Sequence, residues 1–375
     1  MDPIIRRAHA LVLVIALAIP ATAARAQQLV IGQTSGFSGP AAAGVKENTA
    51  GARLWLDEVN SQGGVHGHQI ELVSLDDGFV PKQAAANARR LIVEHHVIAL
   101  FLNRGTPHTE AIRPLLDEFQ VPLVAPSTGA MVLHRPVQRW IFNVRAPYQR
   151  EAEKALTQLA TTGLTRIALV HVDDSFGEDC AQGARRGFDK AGLQPLLVAT
   201  FDRAKPQFAS IAREVQAHGA QAVFLIGAAS AVAEGTRNIR SAGSRAQIVT
   251  VSNNASGGFI REMGEYARGT IVSQVFPYER SLAAPLVNEA SELARRAGVG
   301  ELTPAMLEGF AGAKVLVEGL RRAGRQPTRA SLREALEGLR RLDLGGLDLS
   351  YGPDDHSGLD YADLAIIGPD GKFRR

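Results

Sequence analysis

The chain has one cysteine, Cys180, among 375 residues, so no disulfide can form within it. Aromatic residues make up only 6 %. No segment beyond the first 26 residues is apolar for long enough to cross a bilayer, which requires roughly 20 residues. No glycine-rich phosphate loop ends in Gly-Lys-Ser/Thr, no Gly-x-Gly-x-x-Gly follows the first strand, and Gly-x-Ser-x-Gly is absent. The commonest nucleotide-binding and hydrolase equipment is therefore missing, which favours a binder over an enzyme. Charge of one sign is also missing: 41 basic residues face 38 acidic ones. The arginine pairs Arg89-Arg90, Arg185-Arg186, Arg295-Arg296 and Arg321-Arg322 read as solvated helix surface. No basic face for nucleic acid is expected.

The N-terminus is an address. Arg6 and Arg7 precede the apolar stretch Ala8–Ile19, Pro20 breaks it, and Ala24-Arg25-Ala26 fits a small-x-small cleavage site. A signal peptide over 1–26, cleaved after Ala26, is expected to deliver the protein to the periplasm. Cleavage removes Arg6, Arg7, Arg25 and Asp2, leaving 38 basic residues against 37 acidic. The mature chain is too long for one core, so two domains are expected.

Strand, loop and helix alternate over residues 28–260. LVIGQT (29–34), QIELVSL (69–75), VIALFL (97–102) and PLVAP (122–126) read as strands, separated by helical spacing such as Ala84, Ala88, Leu91 and Ile92. The alternation restarts with a helix at 148–162, then strands at 166–172, 194–201, 222–227 and 247–252. From 282 it gives way to helices at 283–297, 304–323 and 328–338, a glycine-rich stretch and a final strand at 361–367. Repeated β-α units imply parallel sheets with right-handed crossovers. Polar and glycine-rich loops recur at strand carboxyl ends: NRGTPHT, STG, DDSFGED, AAS and NNASGG. Open parallel sheets bind ligands there.

Thr106, Ser127, Thr128 and Gly129 follow two successive strands. Hydroxyls and free N–H groups suit a carboxylate, and the same residues also serve as plain N-caps. Asp76-Asp77 and Asp173-Asp174 read as caps and loop ties rather than catalytic pairs. Cys180 reads as a buried small apolar residue. His66, His68, His95 and His96 lack the convergent partners of a metal site. No metal and no cofactor are expected.

The segments SGFSGP (35–40), NSQGGVHGHQIELVSLDD (60–77), Pro81-Lys82-Gln83-Ala84, Val121-Pro122 to Pro126-Ser127, IALVHVDDSFGED (167–179) and GPDDHSG (352–358) together resemble the periplasmic solute-binding proteins of ABC importers, of the Leu/Ile/Val-binding type. The resemblance implies a type I periplasmic-binding fold: an α/β protein of two Rossmann-like lobes with parallel central sheets, joined by three hinge crossings. These would fall near 145–148, 273–279 and 348–352, giving one lobe of 27–146 plus 277–348 and another of 147–276 plus 349–375. It implies a non-enzymatic, monomeric receptor that closes on a solute and presents it to a permease and ATPase complex. A ligand-sensing domain feeding a regulator or sensor kinase is the alternative.

By the same resemblance, Thr106 and Ser127 to Gly129 hold a carboxylate, Phe176 packs on the ligand, and Ala229, Ser252 and Asn253 complete the cleft. Ser38, Arg104, Gly105 and Tyr148 are expected beside them. Amino-acid binders of this group place an acidic residue near Ser252-Asn253 to pair the ligand ammonium, and none stands here. Their cleft tyrosines give way to Ala43 (or a gap) and Ala229, and the family disulfide across the positions of Phe79 and Gly105 is missing. A buried unpaired ammonium would cost several kcal/mol. A carboxylate without an ammonium, such as an aromatic or aliphatic acid, is the expected ligand, with an amino acid or amide as the second expectation and Arg104 adding positive charge.

Overall fold

The computed structural model describes residues 28–375; the expected leader and its cleavage site lie outside them. β1 (Leu29–Ser35), α1 (Ala42–Ser61), β2 (Ile70–Asp76), α2 (Pro81–Val93), β3 (Ala99–Phe101), α3 (Thr106–Phe119), β4 (Leu123–Val124) and β5 (Ile141–Phe142) come first. Their strands form a five-stranded sheet, ordered β2-β1-β3-β4-β5 and parallel throughout. Side chains alternate across it as a pleated strand requires. Phe101, Val124 and Phe142 enter one core, while Leu100, Leu123 and Ile141 enter the core on the opposite face. Both faces are covered, which is why these strands read as continuous apolar runs.

The second unit comprises α4 (Tyr148–Thr161), β6 (Ile167–Val172), α5 (Ser175–Ala191), β7 (Leu197–Phe201), α6 (Ala209–Ala217), β8 (Ala222–Ile226), α7 (Ala229–Ser241), β9 (Gln247–Thr250), α8 (Gly257–Met263) and β10 (Ile271–Gln274). After α9 (Pro285–Arg296), α10 (Pro304–Arg322) and α11 (Arg329–Glu337) come β11 (Leu342–Asp343), β12 (Asp348–Leu349), β13 (Asp363–Ile367) and β14 (Phe373–Arg374). The larger sheet runs β14-β13-β10-β9-β8-β6-β7, with β13 and β14 antiparallel. The result is an α/β fold of two lobes with parallel-dominated sheets.

The late helices have no sheet of their own. Leu286, Leu307, Phe310, Leu316 and Leu336 pack into the core of the first sheet. The chain passes between the lobes three times. Ala146 lies in the first core and Tyr148 in the second; Val272 lies in the second and Val275 in the first. The last passage departs from the expected 348–352. Leu349, Tyr351 and Leu359 all pack in the first core, so the crossing falls between Leu359 and β13. Tyr351 anchors this stretch by donating its hydroxyl to the Asn143 carbonyl at 2.5 Å. Elements too short for a periodic signal went unread: β5, the β11–β12 hairpin, β14, and α8, whose Gly257-Gly258 opening is a poor helix former.

Candidate ligand-binding cleft

A narrow cavity of about 20 Å³, partly open to solvent, lies between the carboxyl ends of the two sheets. The first lobe contributes Ala41 and Gly44 from the start of α1, Phe79 ahead of α2, and Arg104, Gly105 and Thr106 where β3 leads into α3. Tyr148 comes from the first crossing. The second lobe contributes Phe176 from α5, Arg203 after β7, Ala228 and Ala229 after β8, and Asn253 and Ser256 after β9. Phe79 and Leu102 hold left-handed backbone, with φ of 60° and 57°. Such strain costs about 1–3 kcal/mol per residue, and it clusters where side chains must be aimed.

Arg104 is the centre of the first-lobe wall. The residue is 6 % exposed. One guanidinium nitrogen donates to Ser127 Oγ at 3.3 Å, and another donates across the cleft to the Asn253 carbonyl. These bonds leave donors over, since a guanidinium carries five N–H groups. Among the described residues no carboxylate pairs with Arg104, and no Asp or Glu lines the cavity. Arg203, by contrast, is paired with Asp174 and lies over the Phe79 ring, 5.2 Å from its centroid. Asp174 also caps α5 by accepting from the Phe176 and Gly177 amides, which fixes Phe176 in the wall. The Phe176 ring meets Tyr148 edge-on at 4.9 Å. Burial pushes the Tyr148 phenol up to about 12, so it stays neutral. The Thr106 and Thr128 hydroxyls share a hydrogen bond of 2.7 Å.

Seven of the expected residues thus meet in one cavity: Arg104, Gly105, Thr106, Tyr148, Phe176, Ala229 and Asn253. The other five do not line it. Ser38 is exposed, its amide donating to Asp76. Ser127 lies behind Arg104 and also accepts from Asn48 at 3.1 Å. Thr128 is fully buried against Thr106. Gly129 allows a close backbone approach, since a Cβ there would lie 2.7 Å from the Ala146 carbonyl. Ser252 is turned inward: its hydroxyl accepts from Arg145 at 2.9 Å and its amide donates to Glu151. These residues hold the wall from behind.

Ala41, Gly44, Phe79, Arg203, Ala228 and Ser256 also line the cavity, and none of them was expected there from the sequence. Arg203 follows the carboxyl end of β7, so the strand-end rule applied to LVATF would have found it. The Phe79 ring is stacked on His108 at 4.4 Å and lies within 3.3 Å of a Cβ placed on Gly105. His66 and His68 are spent on the carbonyls of Arg321 and Arg325. Cys180 is fully buried.

Two α/β lobes that face each other across a narrow cavity lined from both sides define a bilobal binding protein. The sequence profile described as periplasmic binding protein matches residues 28–372, and the chain belongs to that family. It is similar to an amino acid binding protein of Pseudomonas aeruginosa, 26 % identical over 53 % of this chain and 54 % of that one. The match thus spans about half of that relative. It is similar also to the Leu/Ile/Val-binding protein of Escherichia coli K12, 23 % identical over 68 % of this chain and 70 % of that one. Among solved structures, a substrate-binding periplasmic protein from Ralstonia solanacearum superposes with a TM-score of 0.84. It is 32 % identical, over 92 % of this chain and 99 % of that one. Each of these relatives is named as a binding protein.

Proposed function

We propose that this protein is an extracytoplasmic solute receptor of an ABC import system, and that its solute is a small carboxylate without an ammonium group. One observation carries the ligand class: among the described residues, Arg104 is buried in the cleft wall with no carboxylate partner, and no acidic side chain lines the cavity. A buried cation lacking a counter-charge favours an anion in reach of its free donors. An α-amino acid would bring an ammonium that nothing on this wall neutralises. The solute's acid group sits by Arg104 and Thr106, its body against Phe79, Tyr148 and Phe176, and any polar tail by Asn253. The names of the relatives support the broad class, and the wall chemistry supports the departure from leucine-type ligands. The solute shifts the lobes toward whichever form, open or closed, binds it more tightly.

Thermal-shift screening of aliphatic and aromatic monocarboxylates, dicarboxylates and amino acids on the mature protein tests the ligand class. An ammonium-free acid is expected to raise Tm, and Arg104→Met is expected to weaken its binding by about 1.5–3 kcal/mol, roughly 10- to 150-fold. Tight leucine binding, or an unchanged affinity in Arg104→Met, refutes it. The importer role predicts permease and ATPase genes beside this one; a neighbouring histidine-kinase gene would count against it.

A further inference from the structure

Away from the cavity wall, α1 of the first lobe and α8 of the second meet directly. Glu47 accepts from the Gly257 amide at 2.9 Å and the Gly258 amide at 2.8 Å, one bond to each carboxylate oxygen. A carboxylate held by two backbone N–H groups is a charge-assisted pair, shielded here because the Glu47 side chain is only 17 % exposed. Arg261 stands 3.7 Å away but is 75 % exposed, so it adds little. One turn before Glu47, Ala43 packs on Gly258 so closely that a Cβ on that glycine would lie 2.1 Å from the Ala43 Cβ. Gly258 keeps an ordinary negative φ, so alanine suits its backbone and only the opposing lobe forbids it. The same elements carry the cavity wall. Gly44 lies beside Arg104, while Ser256 caps α8 by accepting from the Phe259 amide.

We propose that Glu47 and the Gly257-Gly258 edge of α8 form an interlobe clasp that sets the closed population, and so tunes solute affinity without touching solute. Both are positioning residues. A lower closed fraction weakens apparent affinity in proportion. The clasp uses protein atoms only and does not depend on which solute binds.

Spin labels on Lys82→Cys and Lys205→Cys, exposed positions on opposite lobes, report the interlobe distance by pulsed electron resonance. The mature protein is first refolded from guanidinium to strip it of solute. Glu47→Ala and Gly258→Ala are each expected to move the distribution to longer distances. Ala43→Gly added to Gly258→Ala is expected to restore it, because it removes the opposing Cβ; damage confined to α8 would not be repaired from the other lobe. An unchanged distribution in Glu47→Ala, or a Gly258→Ala shift that Ala43→Gly leaves in place, overturns the proposal.

Discussion

Asp179 illustrates how one buried side chain makes this fold sensitive to pH. Its Oδ1 accepts from the Met131 amide at 2.9 Å and from Gln149 at 2.8 Å, while Oδ2 has no partner. Burial outweighs those bonds and pushes the carboxyl up to about 6. The unfolded chain holds it near 3.9. The folded state therefore binds the extra proton between these values. Its stabilising contribution is fully present below about 4 and is lost as pH rises through 6. His108 and His134 act oppositely: burial brings both down to about 4, so their contribution is lost as pH falls from 6.5 toward 4. Comparing the protein with Asp179→Asn at each pH cancels the histidines. Urea unfolding at pH 7 and pH 5 should show the wild-type advantage growing by on the order of 1 kcal/mol at the lower pH. A constant difference would refute the assignment.

At the scale of elements, the α1–α10 pair supports the first lobe's wall. The two helices touch backbone to backbone. A Cβ on Gly51 would lie 1.9 Å from the Met306 carbonyl, and one on Gly309 would lie 1.8 Å from the Asn48 carbonyl. Neither carbonyl can swing aside as a side chain would. Gly309→Ala is therefore expected to cost about 1–3 kcal/mol, the range for forced overpacking. Gly300→Ala, where nothing lies within 4 Å, is the control and should be near neutral. Helix propensity by itself would favour alanine at 309, so a Gly309→Ala loss no larger than that of Gly300→Ala would show that the approach of the helices does not set the cost. Asn48 also donates to Ser127, so a displaced α1 would reach the support of Arg104 as well.

Across the whole molecule, the two lobes are tied at the crossings by one buried charge pair. Glu151, fully buried in α4, is ion-paired with Arg145 of the first crossing. Its other oxygen accepts from the Ser252 amide at 3.0 Å and from the Ser273 hydroxyl, beside the second crossing. Burial is the largest single influence and lowers the Arg145 guanidinium, but Glu151, Tyr148, Glu308 and Cys180 together outweigh it and the net direction is upward. Glu151→Gln strands that cation, an expected loss of about 3–5 kcal/mol in urea unfolding. Arg145→Met with Glu151→Leu should recover much of it, since an apolar pair needs no desolvated charge. If the double variant is the less stable, the pair contributes net stability and the argument fails.

The β/α alternation, the two sheets and the rule that loops at strand carboxyl ends form the cleft were all legible in the chain, because strands buried on both faces must be apolar throughout. Arg104, Thr106, Phe176 and Ala229 followed from those strand ends and the family resemblance. The direction each loop side chain takes was not legible. Ser127 and Ser252 turn away to hold Arg104 and the hinge pair, Phe79 turns in on a left-handed backbone, and the final crossing runs on past Leu359. Apolar periodicity reports only local burial along one segment. Which hydroxyl faces solute, and which glycine yields to the other lobe, depends on contacts between residues far apart in the chain, and only packing decides those.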